Sequence, residues 1–144
     1  TGEEICAKLP RDVVGSKLNL DITTAVPSDP KADVAPSCTY NYLNAKNKPG
    51  AAVVSALRPL DMVGRAGSEG YKIILKVVRQ LAIDVDYEEV RVDAGRNAVR
   101  FTLDTGHLGI CDTGNQVVRV QVPRRDAKGG EVDALLEAVV VAIG

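Results

Sequence analysis

Four short segments in the C-terminal half, Glu88 to Asp93, Ala98 to Asp104, Leu108 to Asp112 and Gln116 to Val122, are separated by little more than turn residues. Ala94-Gly95-Arg96-Asn97 and Asp112-Thr113-Gly114-Asn115 supply the glycines and asparagines that tight hairpins need for positive φ. Strands joined this closely pair antiparallel, so this half of the chain is predicted to be a meander, which excludes a parallel βαβ arrangement here. Alternation places Val99, Phe101 and Leu103, and likewise Val118, Val120 and Val122, on the buried face. Arg100, Thr102, Arg119 and Gln121 then point the other way.

The rest of the chain supplies partners for that sheet. Cys38 to Leu43 alternates as a half-buried strand, Lys46 to Gly50 carries turn chemistry, and Ala51 to Leu57 follows as a second strand, together a hairpin. Val132, Leu135, Leu136, Val139, Val140 and Ile143 repeat at amphipathic-helix spacing. Ile73, Ile74, Val77, Val78 and Leu81 define a second helix over Tyr71 to Leu81. Ile5, Leu9, Val13 and Val14 predict a short N-terminal helix ending near Gly15, with Pro10 allowing only a break or a fresh start. Asn19 to Ser37, with Pro27, Pro30 and Pro36, reads as a loop holding at most one short strand. The expected fold class is α+β, one domain over residues 1–144, with an antiparallel sheet of about five to six strands and two to three helices packed on it.

Composition narrows the function classes. The 18 basic and 19 acidic residues leave a net charge of −1, which argues against a nucleic-acid footprint. No apolar run approaches the roughly 20 residues of a membrane span. Only Tyr40, Tyr42, Tyr71, Tyr87 and Phe101 are aromatic, so stacking platforms have little material. Thr1-Gly2-Glu3-Glu4 is neither apolar nor Arg-rich, an opening expected either of a chain whose signal peptide or lipid-attachment segment has been removed or of a trimmed one.

Cys6, Cys38 and Cys111 are too far apart for a C-x-x-C redox motif or a zinc site, which leaves a disulfide or plain burial as thiols. A Cys6–Cys38 bridge would stabilise by roughly 3–4 kcal/mol in the loop-entropy model and would require an oxidising compartment. Cys111 is then a buried strand residue.

Cys6-x-x-Leu9-Pro10, the later Cys38-Thr39-Tyr40 at a strand start, the meander and the apolar C-terminal helix resemble secreted actinobacterial lipoproteins similar to the extracellular sensor domain of the mycobacterial serine/threonine kinase H. The likeness covers most of the chain. It implies a Cys6–Cys38 disulfide, a secreted or cell-surface-anchored location, and extracellular ligand sensing or lipid and cell-wall interaction. A second bridge common in that family joins the late strand to the last helix. Here Cys111 stands at the strand, but residues 131–144 hold no cysteine.

No catalytic constellation stands out. His107, in Asp104-Thr105-Gly106-His107, could pair with Asp104 or join Asp112 as a metal ligand, against a plain solvated histidine at a turn. No serine lies near a base, and a site assembled from His107, Asp104 and Glu89 is the remaining enzymatic reading. Gly64, Gly67 and Gly70 with Arg65 could bind an anion ahead of a helix or simply connect elements. Asp84, Asp86, Glu88 and Glu89 lack the ligand spacing of a calcium loop. Arg119, Arg124, Arg125 and Lys128 could meet phosphates or anionic head groups, or serve only solubility. No cofactor or metal is expected.

The function expected is a non-catalytic extracytoplasmic binding or sensing module for a small molecule, lipid or envelope polymer. Tyr40, Tyr42, Tyr71 and Phe101 are its candidate wall residues, because a cleft would recruit scarce aromatics. The alternative is a protein-interaction or inhibitor domain using the 19–37 loop.

Overall fold

The computed structural model describes residues 1–31, 35–57, 67–81 and 87–144. Seven antiparallel strands form one sheet: β1 (Ile22–Pro27), β2 (Ser37–Leu43), β3 (Pro49–Leu57), β4 (Glu88–Val92), β5 (Asn97–Thr102), β6 (Gly106–Asp112) and β7 (Val117–Pro123). Their order is β1-β2-β3-β7-β6-β5-β4, two meanders joined where β3 pairs with β7, Val54 opposite Val120 and Ser55 opposite Arg119. The α+β class stands, with more strands than expected, because Ile22–Pro27 pairs with β2 as an edge strand. Its terminal Pro27 is tolerated there, where no further ladder bond is needed.

Four helices among the described residues cover the sheet: α1 (Gly2–Lys8), α2 (Arg11–Leu18), α3 (Gly67–Leu81) and α4 (Gly129–Ile143). Three of them, α1, α2 and α4, pack on one face. There Cys38, Tyr40, Tyr42, Ala52, Val54, Val118, Val120 and Val122 meet Ile5, Val14, Leu18 and the α4 stripe Val132, Leu135, Leu136 and Val139. Each fully buried side chain of that stripe contributes roughly 1.5–3 kcal/mol of hydrophobic stabilisation. Among the described helices only α3 lies on the opposite face, where Tyr71 and Leu75 cover Val99, Phe101, Ile110 and Val117.

The N-terminal expectation needs correcting. The helix does not end near Gly15. Pro10, in an extended conformation, separates α1 from α2, and α2 runs on to Leu18 and closes with Asn19 at φ 57°. Gly15 lies inside α2 because the chain turns back over it: an added Cβ would come within 2.5 Å of the Leu20 carbonyl oxygen.

Two bonds tie α1 to the sheet. Cys6 is joined to Cys38 by a disulfide with Cα atoms 5.4 Å apart. The Tyr40 hydroxyl donates to the Leu9 carbonyl at 2.6 Å, satisfying an acceptor just past the helix end. Burial pushes the Tyr40 phenol up to about 12.

Candidate functional site

Alternation assigned Val99, Phe101 and Val118, Val120, Val122 to one buried face, and this is corrected by the register. Phe101 opposes Leu108, and Leu108 opposes Gln121, so Phe101 shares a face with Arg119 and Gln121, while Val118, Val120 and Val122 lie on the other. Both faces are covered over the second meander. The four aromatic wall candidates divide accordingly: Tyr40 and Tyr42 are buried beside α1, α2 and α4, and Tyr71 and Phe101 are buried beneath α3. The sheet separates the two pairs.

His107 is not a solvated turn residue. It is buried on β6, its Nδ1 2.9 Å from Thr102 Oγ1 and its Nε2 3.0 Å from the Ala127 carbonyl oxygen. A carbonyl only accepts, so Nε2 carries the proton, and in the neutral ring Nδ1 accepts from the Thr102 hydroxyl. Thr102 in turn accepts from Arg100 Nη1. Arg100 and Thr102, expected to point away from the core, are thus buried by the loop preceding α4; Arg100 Nε donates to Asp133 at 2.8 Å, and its Nη1 lies 3.5 Å from Glu88. This chain of groups holds α4 to the sheet. Asp104 is not part of it: its exposed carboxylate faces Arg124 at 3.6 Å. Asp112 projects to the opposite face of β6 from His107, and Glu89 pairs with Arg79 at 2.8 Å, so the residues of the enzymatic reading are not brought together.

The charged clusters also separate. Glu88 and Glu89, adjacent on β4, face opposite sides, while Asp84 and Asp86 lie outside the described residues, as do Gly64 and Arg65. No group of three or more potential metal ligands occurs among the described residues. Arg125 Nε contacts both carboxylate oxygens of Asp126 at 3.2 Å. Tyr42 Oη donates to the same carboxylate at 2.6 Å and Asn44 Nδ2 at 2.9 Å. Burial opposes ionisation of Asp126, but these three donors outweigh it and hold the carboxyl below its ordinary range.

Arg119 behaves differently from the rest of its expected cluster. It lies on the α3 face of β7, between Ser55 of β3 and Ile110 of β6, both buried. Its Nε is sealed from solvent and has no hydrogen-bond partner among the described residues. Burial pushes its guanidinium down from its usual value. Two residues on, along the same face, Gln121 borders a hollow of about 320 Å³ also lined by Ala51, Val53, Leu103, Leu108 and Pro123.

Helix α3 adds a wall. Its inner residues Tyr71, Ile74, Leu75 and Val78 pack on the sheet, and Arg79 reaches Glu89 on the edge strand β4. At about 100° per residue, Val77 and Leu81 stand roughly 200° round from Arg79, on the flank toward β7 and β3. Both are exposed there, Val77 at 50% and Leu81 at 78%. On that side Ala51 and Val53 of β3 and Thr39 and Asn41 of β2 are only partly buried, and no described helix packs over them.

Sequence reasoning placed Arg119 only within a basic group, with Arg124, Arg125 and Lys128, that could meet phosphates or anionic head groups or serve solubility, and did not name Val53, Val77, Leu81 or Leu108 as lining residues. The available signal was the adjacent apolar pairs Ile110-Cys111 and Val117-Val118, which mark strands buried on both faces. No known family, curated protein or solved structure compared with the chain matches it.

Proposed function

We propose that the chain is a non-catalytic binding or sensing module of the cell exterior, and that its ligand occupies the half-open sheet face between α3 and β3. The observation that carries this reading is the hollow lined by Ala51, Val53, Leu108 and Pro123 on the sheet face over which α3 packs, with Val77 and Leu81 of α3 exposed. Apolar surface arranged around a concavity is the usual form of a small-molecule site. Dispersal of His107, Asp104 and Glu89 to separate partners favours binding over catalysis. The Cys6–Cys38 bond supports an oxidising compartment, and with it kinship to the lipoprotein and kinase-sensor family described above. No helix among the described residues is long and apolar enough to cross a membrane.

The test is titration with the neutral fluorophore N-phenyl-1-naphthylamine. The wild-type protein is expected to bind it with enhanced emission, and Val53→Lys, which sets a charge on the floor of the hollow, to abolish binding while the melting temperature moves by less than about 2 °C, as a partly exposed substitution should. Binding unaffected by Val53→Lys would place the ligand elsewhere.

A further inference from the structure

The geometry points to an oxyanion on the ligand: an amphiphile whose carboxylate or phosphate head group sits on Arg119 while its apolar chain lies along the hollow toward Val77 and Leu81. This inference rests on the binding site proposed above and adds the chemical class of its occupant.

An arginine side chain has five N–H donors in a fixed fork and no acceptor, so it matches the paired oxygens of a carboxylate or phosphate. The other strongly held guanidinium groups here already have such partners: Arg79 is bidentate on Glu89, Arg100 is held by Asp133, and Arg125 by Asp126. Arg119 stands apart, with Nε shielded from water and unpartnered and with no ion pair among the described residues. An unsatisfied buried donor is costly, and a charged one more so. The two neighbours that flank it across the ladder, Ser55 and Ile110, bring no carboxylate. Desolvation, the same effect that depresses its basicity, strengthens any ion pair formed there. From Arg119 to the Gln121 position is about 7 Å along the strand, so an anionic group on the guanidinium would place the next several carbons of a chain over Val53 and Leu108.

The experiment is displacement of N-phenyl-1-naphthylamine by decanoate, decyl phosphate and decanol, from the wild-type protein and from Arg119→Gln. One or both anions are expected to bind the wild type about ten- to a hundredfold more tightly than decanol, the range for hydrogen bonds to a charged group. Preference for decanoate alone identifies a carboxylate ligand, for decyl phosphate alone a phosphate ester, and both outcomes support the inference. Arg119→Gln should level the three while leaving decanol binding unchanged, which also reports that the variant is folded. The wild type carries an independent readout: the ¹⁵N-detected Nε–H resonance of Arg119 should shift with the anion and not with decanol. Equal binding of all three by the wild type, or an anion preference retained in Arg119→Gln, overturns the inference and leaves the binding site standing. Failure of the fluorophore and of every amphiphile to bind overturns the site itself.

Discussion

Replacing Tyr42 with phenylalanine removes one oxygen from the buried side of the sheet and one of three donors from Asp126. The Asp126 side chain has no solvent exposure, and Tyr42 Oη lies 2.6 Å from its Oδ2. A hydrogen bond to a charged group contributes about 1.5–3 kcal/mol, and because Asn44 and Arg125 remain to share the charge, the expected loss is at the lower end, about 1.5–2 kcal/mol. For a chain of this size that corresponds to a fall in melting temperature of about 6–8 °C. The pH dependence identifies the cause. Asp126 has a folded pKa depressed below its unfolded value, so its contribution is fully present above roughly pH 3.9 and is lost as pH falls through the folded pKa. The Tyr42 phenol does not titrate in this range, being pushed up by burial and by the adjacent Asp126 carboxylate. Thermal melts of wild type and Tyr42→Phe, run from pH 7 down to pH 2.5, should therefore show a full gap at neutral pH that narrows in acid as the carboxyl takes up a proton. A gap that stays constant over the whole range would refute the charge-assisted bond as its source, and the absence of a gap at pH 7 would refute its contribution altogether.

Two further perturbations test how the helices are attached. Substituting both Cys6 and Cys38 by serine, or reducing the bond, should lower the free energy of unfolding by roughly 3–4 kcal/mol in urea titrations, the loop-closure value for a bridge of this span; a loss under about 1 kcal/mol would show that the bond contributes little beyond what Tyr40 and Leu9 already provide. Asp133→Ala leaves Arg100, only 7% exposed, with Thr102 and a more distant Glu88. It should cost about 2–3 kcal/mol, below the range for a fully buried pair because Asp133 is 27% exposed, whereas Arg100→Met combined with Asp133→Leu should recover most of the loss. Equal destabilisation in the single and double variants would locate the effect in packing and not in an unpaired charge.

The parts of this fold legible in the sequence are those in which local pattern and tertiary environment agree. The turns at Gly95 and Gly114 have the positive φ that their residues favour, and the meander follows from them. The α4 stripe from Val132 to Val139 is buried as its spacing predicts. What was not legible depends on contacts distant in sequence. Nothing local in Val53-Val54-Ser55 announces that β3 pairs with Val120 and its neighbours on β7, yet this single pairing joins the two meanders. The Thr23–Val26 segment resembles its flanking loop because an edge strand with an exposed outer side needs little apolar content. His107 and Arg100 are polar residues whose burial is decided by an approaching loop and helix N-terminus, not by strand period.

The candidate site was hidden by one assumption, that each strand has one wet face. Adjacent apolar pairs, Ala98-Val99 on β5, Ile110-Cys111 on β6 and Val117-Val118 on β7, contradict it, because the second member of each pair would otherwise be exposed. Once both faces are recognised as at least partly covered, a cation on β7 is no longer simply a surface charge: Arg119 is half-buried and its Nε is sealed from water. Parity alone then places Arg119 in the same cross-strand row as Ile110 and Ser55, on the side opposite Val118 and Val120. A guanidinium whose Nε is sealed from water favours a counter-group, and while Arg79, Arg100 and Arg125 each pair with a carboxylate, Ser55 and Ile110 across the ladder from Arg119 bring none. That asymmetry, a half-buried arginine whose Nε is sealed from water and has no partner among the described residues, is the physical reason to look for the missing anion in a ligand.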